Sequence, residues 1–523
     1  MPAERGGTLC YIESVIRRLF DRLFGIDARS LAAFRVAIGA IILADLLIRS
    51  GSIIDHYSDA GFLPRSVWIE GNTKTWGWSL HAMNGLPAFE GALFAVAGIA
   101  ASALIVGWRT QIACAASWVL LASLQQRDEF VLNGGDVLLR VLLFWAMFLP
   151  LGRRWSVDAL RRRRATEAQA RSEDNGTSRV VSVAAACIVI QFLLVYIFTG
   201  LYKLDEPWRS GDAMRRSFSF DMFVKPPGAW MLGHESLLRA ATFAVPWVEV
   251  ILPALCLLPW LTRWWRGAAI IVFSALHLGI ELTMTTGLFP WACLAGWLLL
   301  VPGAWWDGAG RRNSGGAAGS SGATGGASEH DEAASGARGG SESATRTPLG
   351  YLSDGVLLFL LGYVLLWNIA GLREDMAHAP PLPVAHQWLG QLTTLNQKWN
   401  MFASPPVETG WYRVTGRNSY GDEIDLLTGV PLKGTALEKP SDIWSQYIDH
   451  RWRKLMFEVM PETRRSHWPR LAQTLAKRWN RGREQSQRIT TIEMVLMRET
   501  TPKAGETAAP ARRVVMYKGP VAE

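Results

Sequence analysis

The chain has 523 residues, 49% of them hydrophobic and only 19% charged, with 25 tryptophans and a formal charge of +9. Apolar windows of about 18 residues or more exclude an ordinary soluble enzyme and point to a polytopic α-helical membrane protein. The surplus charge sits largely in short loops beside the apolar runs, where arginine sets membrane orientation, so it calls for no nucleic-acid partner.

The first 30 residues lack the uninterrupted apolar core and small-residue cleavage site of a signal peptide. Tyr11, Ile12, Val15, Ile16, Leu19, Phe20, Leu23 and Phe24 recur at helical spacing, with Arg17, Arg18 and Arg22 off that stripe. This is the pattern of an amphipathic helix, lying along the membrane surface or docked on the protein's own core.

Apolar runs then predict nine spans, near residues 31–48, 91–107, 110–125, 137–151, 180–202, 240–261, 267–284, 288–306 and 350–371. The loop after the fourth carries Arg153, Arg154, Arg161-Arg-Arg-Arg164, Arg171 and Arg179, and the loop between 261 and 267 carries Arg263 and Arg266. Both loops and the N-terminus are predicted cytoplasmic, and an odd number of spans exports the C-terminus. The first eight spans form a unit over 31–306, a Gly/Ser-rich stretch at 307–349 reads as a cytoplasmic linker, and the ninth span follows.

Residues 372–523 turn polar. Strand-like runs at 411–417, 489–498 and 512–517 and helix-like runs near 442–457 and 468–480 predict a small exported α+β domain. Cys10, Cys114, Cys187, Cys256 and Cys293 all precede it, so it contains no disulfide, and no Cys/His spacing suggests zinc. The sequon Asn175-Gly-Thr177 falls on the predicted inside.

Ionisable residues within spans are costly in hydrocarbon and mark the chemistry. They are Arg35, Asp45, Glu249, His277 and Glu281, with Lys203 at the end of the fifth span. His277 and Glu281, four apart, share a helix face and are expected to pair, fixing an imidazole tautomer or a structural contact. Asp45, Glu249 and Glu281 lie in the outer halves of their spans, level with Lys203, so all are expected to converge on one outward-facing cavity. A lysine in such a pocket can act as a base when burial favours its neutral form, whereas the structural reading has it snorkelling to water at the negative end of a helix dipole.

Four motifs occur in order: His56-Tyr-Ser-Asp59-Ala-Gly-Phe-Leu-Pro64-Arg65, Asn133-Gly-Gly-Asp136, Gly200 with Lys203-Leu204, Trp208 and Gly211, and Trp399-Asn-Met-Phe402-Ala-Ser-Pro-Pro406. Over roughly residues 25–430 the chain thereby resembles the vitamin K-dependent γ-carboxylases and their bacterial relatives that share the horizontally transferred transmembrane (HTTM) domain. The resemblance implies that Lys203 deprotonates reduced vitamin K or another quinol, which reacts with oxygen to give the base that removes a γ-proton from a glutamate of a peptide or protein substrate. Taken with the ionisable residues of the spans, the candidate catalytic residues are Lys203, His277 and Glu281, and the candidate substrate-binding ones His56, Asp59, Asp136, Trp208 and Glu249. The carboxylases' Trp-Asn-Asn-His stretch is here Val131-Leu-Asn133-Gly-Gly-Asp136, without the histidine, and the exported domain is smaller. For Asp136 the alternative is a helix-capping aspartate after a Gly-rich turn; for His56 and Asp59 it is a loop turn packed on the bundle.

The expectation is a multi-pass cell-membrane protein embedded in the lipid bilayer, acting on a quinol or another lipidic substrate. A proton-coupled transporter relaying through Asp45, Glu249 and the His277/Glu281 pair, or a non-catalytic anchor presenting the C-terminal domain to a partner, stand as rivals.

Overall fold

A computed structural model describes residues 3–73, 75–167, 179–314, 348–432, 438–501 and 509–522. Arg171, the sequon Asn175-Gly-Thr177 and most of the expected linker lie outside the described residues.

Among the described residues, twelve of the helices before the C-terminal domain's sheet build the bundle and its flanks, with shorter helices in the connections. The twelve are α1 (Ala3–Phe24), α2 (Ala28–Ser50), α3 (Pro87–Val106), α4 (Thr110–Arg127), α5 (Gly134–Ala146), α6 (Val157–Glu167), α7 (Val183–Tyr202), α8 (Glu235–Leu255), α9 (Thr262–Thr283), α10 (Phe289–Trp297), α11 (Gly303–Ser314) and α12 (Pro348–Ala377). Their starts are written locally. Asp27 caps α2 by accepting from the Arg29 amide, Ser182 caps α7 through the Ala185 amide, and Asn133 and Asp136 form a reciprocal capping box on α5.

Six of these, α2, α3, α7, α8, α9 and α12, are long and apolar enough to cross a membrane. The other three expected spans differ from a free-standing membrane helix. α4 carries Gln125, Gln126 and Arg127 at its end, and α5 is 13 residues long and buried along almost its whole length. The run at 288–306 breaks into α10, a 3-10 turn at Leu298–Leu300 and α11. Such helices are walled by protein, so their hydropathy reports core packing as much as lipid contact. The linker also begins later than predicted, because α11 carries helix through Ser314.

The end of α1 docks on the bundle: Phe24 packs against the central core, and Arg266 of α9 donates to the Leu23 carbonyl. Tyr11, Ile16 and Leu19 stay exposed, as an interfacial stripe requires.

Among its described residues the C-terminal domain holds four antiparallel strands, β1 (Glu408–Asn418), β2 (Glu423–Asp425), β3 (Ile489–Thr500) and β4 (Arg512–Pro520), in the order β2-β1-β3-β4. Trp411 faces Met497 across β1 and β3, and Met494 faces Tyr517 across β3 and β4. Helices α13 (His450–Val459) and α14 (Trp468–Asn480) supply Leu455, Met456, Leu471 and Leu475 to the same core. The helix expected at 442–457 thus starts later, where Asp449 caps it through the Arg451 and Trp452 amides.

The domain is not separate from the helices. Its core takes in Phe62, Leu63, Phe130 and Val131 from the loops after α2 and α4. Trp452 Nε1 donates to Ser52 Oγ at 3.0 Å, and Arg478 and Arg481 both hold Asp55. Trp399, fully buried, enters the helical core itself, its Nε1 donating to Gln397 Oε1 at 2.7 Å.

Candidate functional site

Lys203 ends α7 as its C-cap, and Gly200 one turn earlier decides what it meets. A Cβ on Gly200 would lie 2.7 Å from the Pro246 carbonyl oxygen and 2.7 Å from Val250 Cγ2, so only glycine lets α8 approach this closely. The contact brings Glu249 of α8 onto the lysine: Nζ lies 2.7 Å from Oε1 and 2.6 Å from Oε2, with Lys203 only 4% exposed.

The pair opens on a cavity of about 80 Å³ whose wall is overwhelmingly apolar, including Val195, Leu276, Phe289 and Phe402. His277 lines it from α9. The imidazole Nε2 lies 2.7 Å from the Tyr196 hydroxyl, which in turn accepts from Trp297 Nε1 at 2.8 Å. With the indole donating, the phenol O–H can donate to Nε2, and in that arrangement a neutral imidazole carries its proton on Nδ1. Nδ1 is buried without a hydrogen-bond partner among the described residues, leaving it to meet a polar group of an occupant.

Four of the expected site residues therefore converge: Lys203, Glu249, His277 and Trp208. Trp208 stands beside the lysine, its ring centroid 5.2 Å from Nζ. Its N–H is already committed, donating to the Phe402 and Ala403 carbonyls at 3.0 Å each, so it ties the Trp399–Phe402 segment to the cavity rather than offering a donor to a substrate.

Glu281 does not pair with His277. Its carboxylate and carbonyl take Lys225, with Nζ 3.1 Å from Oε1, while His277 turns to Tyr196. Sharing a face does not make two residues partners when each has a better-placed neighbour on another helix. Asp45 and Asp136 are elsewhere too. They form a buried square of charge with Arg49 and Arg451: Arg49 Nε reaches Asp45 at 2.8 Å and its Nη2 reaches Asp136 at 2.8 Å, while Arg451 of α13 reaches Asp45 and Asp136 at 2.5 Å each. Two cations meet two anions, and Tyr57 Oη and the Val131 carbonyl accept further bonds from the guanidiniums. Asp136 is thus a cap and an interdomain anchor, its carboxylate accepting from Arg49, Arg451 and the Asn133 amide. Of the three carboxylates expected level with Lys203, only Glu249 enters its cavity.

His56 is buried against Trp452, ring centroids 4.9 Å apart, with Nδ1 3.6 Å from Asp128, and lies in the interdomain seam. Asp59 is bound by the Arg65 side chain and amide, and the Arg65 hydrogen bonds hold its carboxyl below the usual range. Both match the packed-turn alternative. The Asn133-Gly-Gly-Asp136 motif has a packing reason as well: a Cβ on Gly134 would lie 2.1 Å from Met401 Sδ, so the glycine admits the Trp399–Phe402 segment.

The sequence reading passed over Arg49, Arg451, Tyr196 and Trp297. The i,i+4 spacing of Asp45 and Arg49 is a usable signal. Arg451 and Trp297 have none, since their partners are hundreds or about a hundred residues away. Among the described residues no group of histidine, cysteine and carboxylate side chains is placed to hold a metal.

The family model described as HTTM domain matches residues 25–305, more than half of the chain, and the chain belongs to the HTTM-domain family of multi-pass membrane proteins. No curated protein and no solved structure matches it.

Proposed function

We propose that the protein crosses the membrane nine times with its N-terminus cytoplasmic and its C-terminal domain exported, and that Lys203 serves as a base toward a quinol or another lipidic hydroxyl compound in the α7/α8/α9 cavity. The observation that carries the chemical reading is the Lys203–Glu249 pair, held in an apolar cavity beside an imidazole with an unpartnered nitrogen.

The pair provides what a base needs. A proton can pass from the ammonium to the carboxylate over 2.6 Å, leaving a neutral amine that accepts the proton of a substrate O–H, while Glu249 keeps the first proton. His277 Nδ1–H can hydrogen-bond the oxygen that becomes negative, and Tyr196 and Trp297 hold the ring in place. The apolar wall suits an aromatic, lipid-soluble molecule and excludes water. A quinol would supply the oxygen-reactive ring; proton removal and positioning belong to these side chains.

Helix direction supports nine passes. The start of α2 meets Val301 and Gly303 beyond α10, whereas its end meets Arg451 of the C-terminal domain. Many of the exposed tryptophans support the same sides: Trp108, Trp155, Trp260, Trp264 and Trp305 lie beside the basic loops, while Trp76, Trp230 and Trp388 lie in segments on the other side; Trp247, midway along α8, and Trp291 belong to neither group.

The test is quinol oxidation and oxygen uptake by the reconstituted full chain. Lys203→Arg keeps the charge but cannot accept a proton at neutral pH, so activity should vanish while thermal stability stays near wild type. An active Lys203→Arg protein overturns the base.

A further inference from the structure

A second cavity, of about 490 Å³, lies where the C-terminal domain meets the end of α2. Arg478, Arg481 and Arg483 line it together with Trp479, Ile448 and Tyr447, and no acidic residue does. Asp55, buried, is shared by Arg478 and Arg481, so those two cations divide one anion between them. Arg483 forms no ion pair among the described residues; its guanidinium lies 3.7 Å over the Trp479 ring. The Tyr447 hydroxyl is buried beside the groove without a hydrogen-bond partner among the described residues, and Ile448 is 54% exposed. An excess of positive charge, a spare donor and exposed apolar surface in one place suit a ligand with an anionic head and an apolar body.

The floor of the groove identifies which ligand. Gly51 lines it and ends α2, and the exposed positions of that helix lead to it: Val36, Ala40, Leu47, with Leu43 half-buried between them, recur at four- and three-residue steps, and Leu47 is 66% exposed. That stripe is apolar and exposed on a helix long enough to cross a membrane, so a lipid chain lying along it would end at the arginines.

We propose that this groove binds the phosphate headgroup of an anionic phospholipid from the leaflet beside the C-terminal domain, with an acyl chain along the Val36–Leu47 face of α2. The site is separate from the Lys203 cavity and does not depend on its reading.

The test titrates the purified full chain in neutral detergent with phosphatidylglycerol, phosphatidylcholine or inorganic phosphate, following Tm and lipid retention by native mass spectrometry. Phosphatidylglycerol should raise Tm saturably and phosphatidylcholine should not. Arg483→Gln should weaken phosphatidylglycerol about fivefold, the effect of one basic residue near an anionic surface. Leu47→Ala should weaken the lipid too. Equal response to both lipids, or unchanged affinity in Arg483→Gln, overturns the proposal. Inorganic phosphate matching the lipid assigns the groove to a free anion, and an acidic peptide that outcompetes the lipid assigns it to a protein partner; either also overturns it. Should Arg483→Gln alter Tm without lipid, Tyr447→Phe, expected to weaken phosphatidylglycerol while keeping the ring, decides by the same measurements.

Discussion

Replacing Arg451 by leucine tests whether the charge square couples the C-terminal domain to the bundle. The guanidinium donates to Asp45 Oδ1, both oxygens of Asp136 and the Val131 carbonyl. Arg451→Leu strands these acceptors and leaves two buried carboxylates facing Arg49 alone, a change that typically costs about 3–5 kcal/mol. Asp45→Asn alone leaves the opposite imbalance and should cost a similar amount. The double variant restores neutrality, since Arg49 still reaches Asp136 at 2.8 Å. It should be less damaging than the sum of the two by about 1–3 kcal/mol. Arg451→Lys keeps the charge but not the planar fork, so it should recover only part of the loss. Unfolding in detergent, with limited proteolysis of the C-terminal domain as a second readout, measures each. Single variants within about 1 kcal/mol of wild type, or strict additivity, would refute the coupling.

Trp399→Ala should lower stability by about 3–5 kcal/mol and cut folded yield, because the indole is fully buried in the helical core; normal yield with altered quinol turnover would make the segment a substrate contact. In a Cys10→Ser background, Arg164→Cys should resist membrane-impermeant thiol reagents in intact cells while Tyr420→Cys labels, and any other pattern breaks the nine-pass topology. Burial, with Arg451 nearby, pulls His450 from its ordinary 6.5 down to about 4. Between those values the unfolded chain binds a proton that the folded one refuses. Stability should therefore fall by roughly 3 kcal/mol as pH drops from about 6.5 to 4, and His450→Gln should flatten that window in a pH series of melts.

Hydropathy made the six long helices legible, because length and apolarity are properties of one segment. It could not say that α5 and α10 are walled by protein, since burial is decided by neighbours. The strands at 411–417, 489–498 and 512–517 were readable from their β-branched and aromatic content, while β2, three residues long, carries too short a pattern. Lys203 and Glu249 were each identifiable as costly membrane ions, but their pairing depends on Gly200 letting two helices touch. The same cost flagged Asp45 without revealing that its partner stands about 400 residues away in Arg451.

The two buried ionic groups differ in a way that separates scaffold from chemistry. In the square, each cation has two anionic partners, each carboxylate has two cations, and neighbouring acceptors take further N–H groups. A network closed in this way fixes geometry and has no free site at which to exchange a proton. The Lys203–Glu249 pair has only itself for ion pairing among the described residues, sits against apolar walls and borders open space, with an imidazole nitrogen left over on the opposite helix. A buried pair whose charges are both removed and whose space is filled with apolar side chains is often at least as stable, so the fold alone does not require this one. The substitution Lys203→Met with Glu249→Leu applies that argument directly. It should fold as well as wild type and lose turnover entirely, whereas Arg451→Leu alone, which strands two buried carboxylates, should loosen the C-terminal domain and reduce turnover only in proportion to the loss of folded protein.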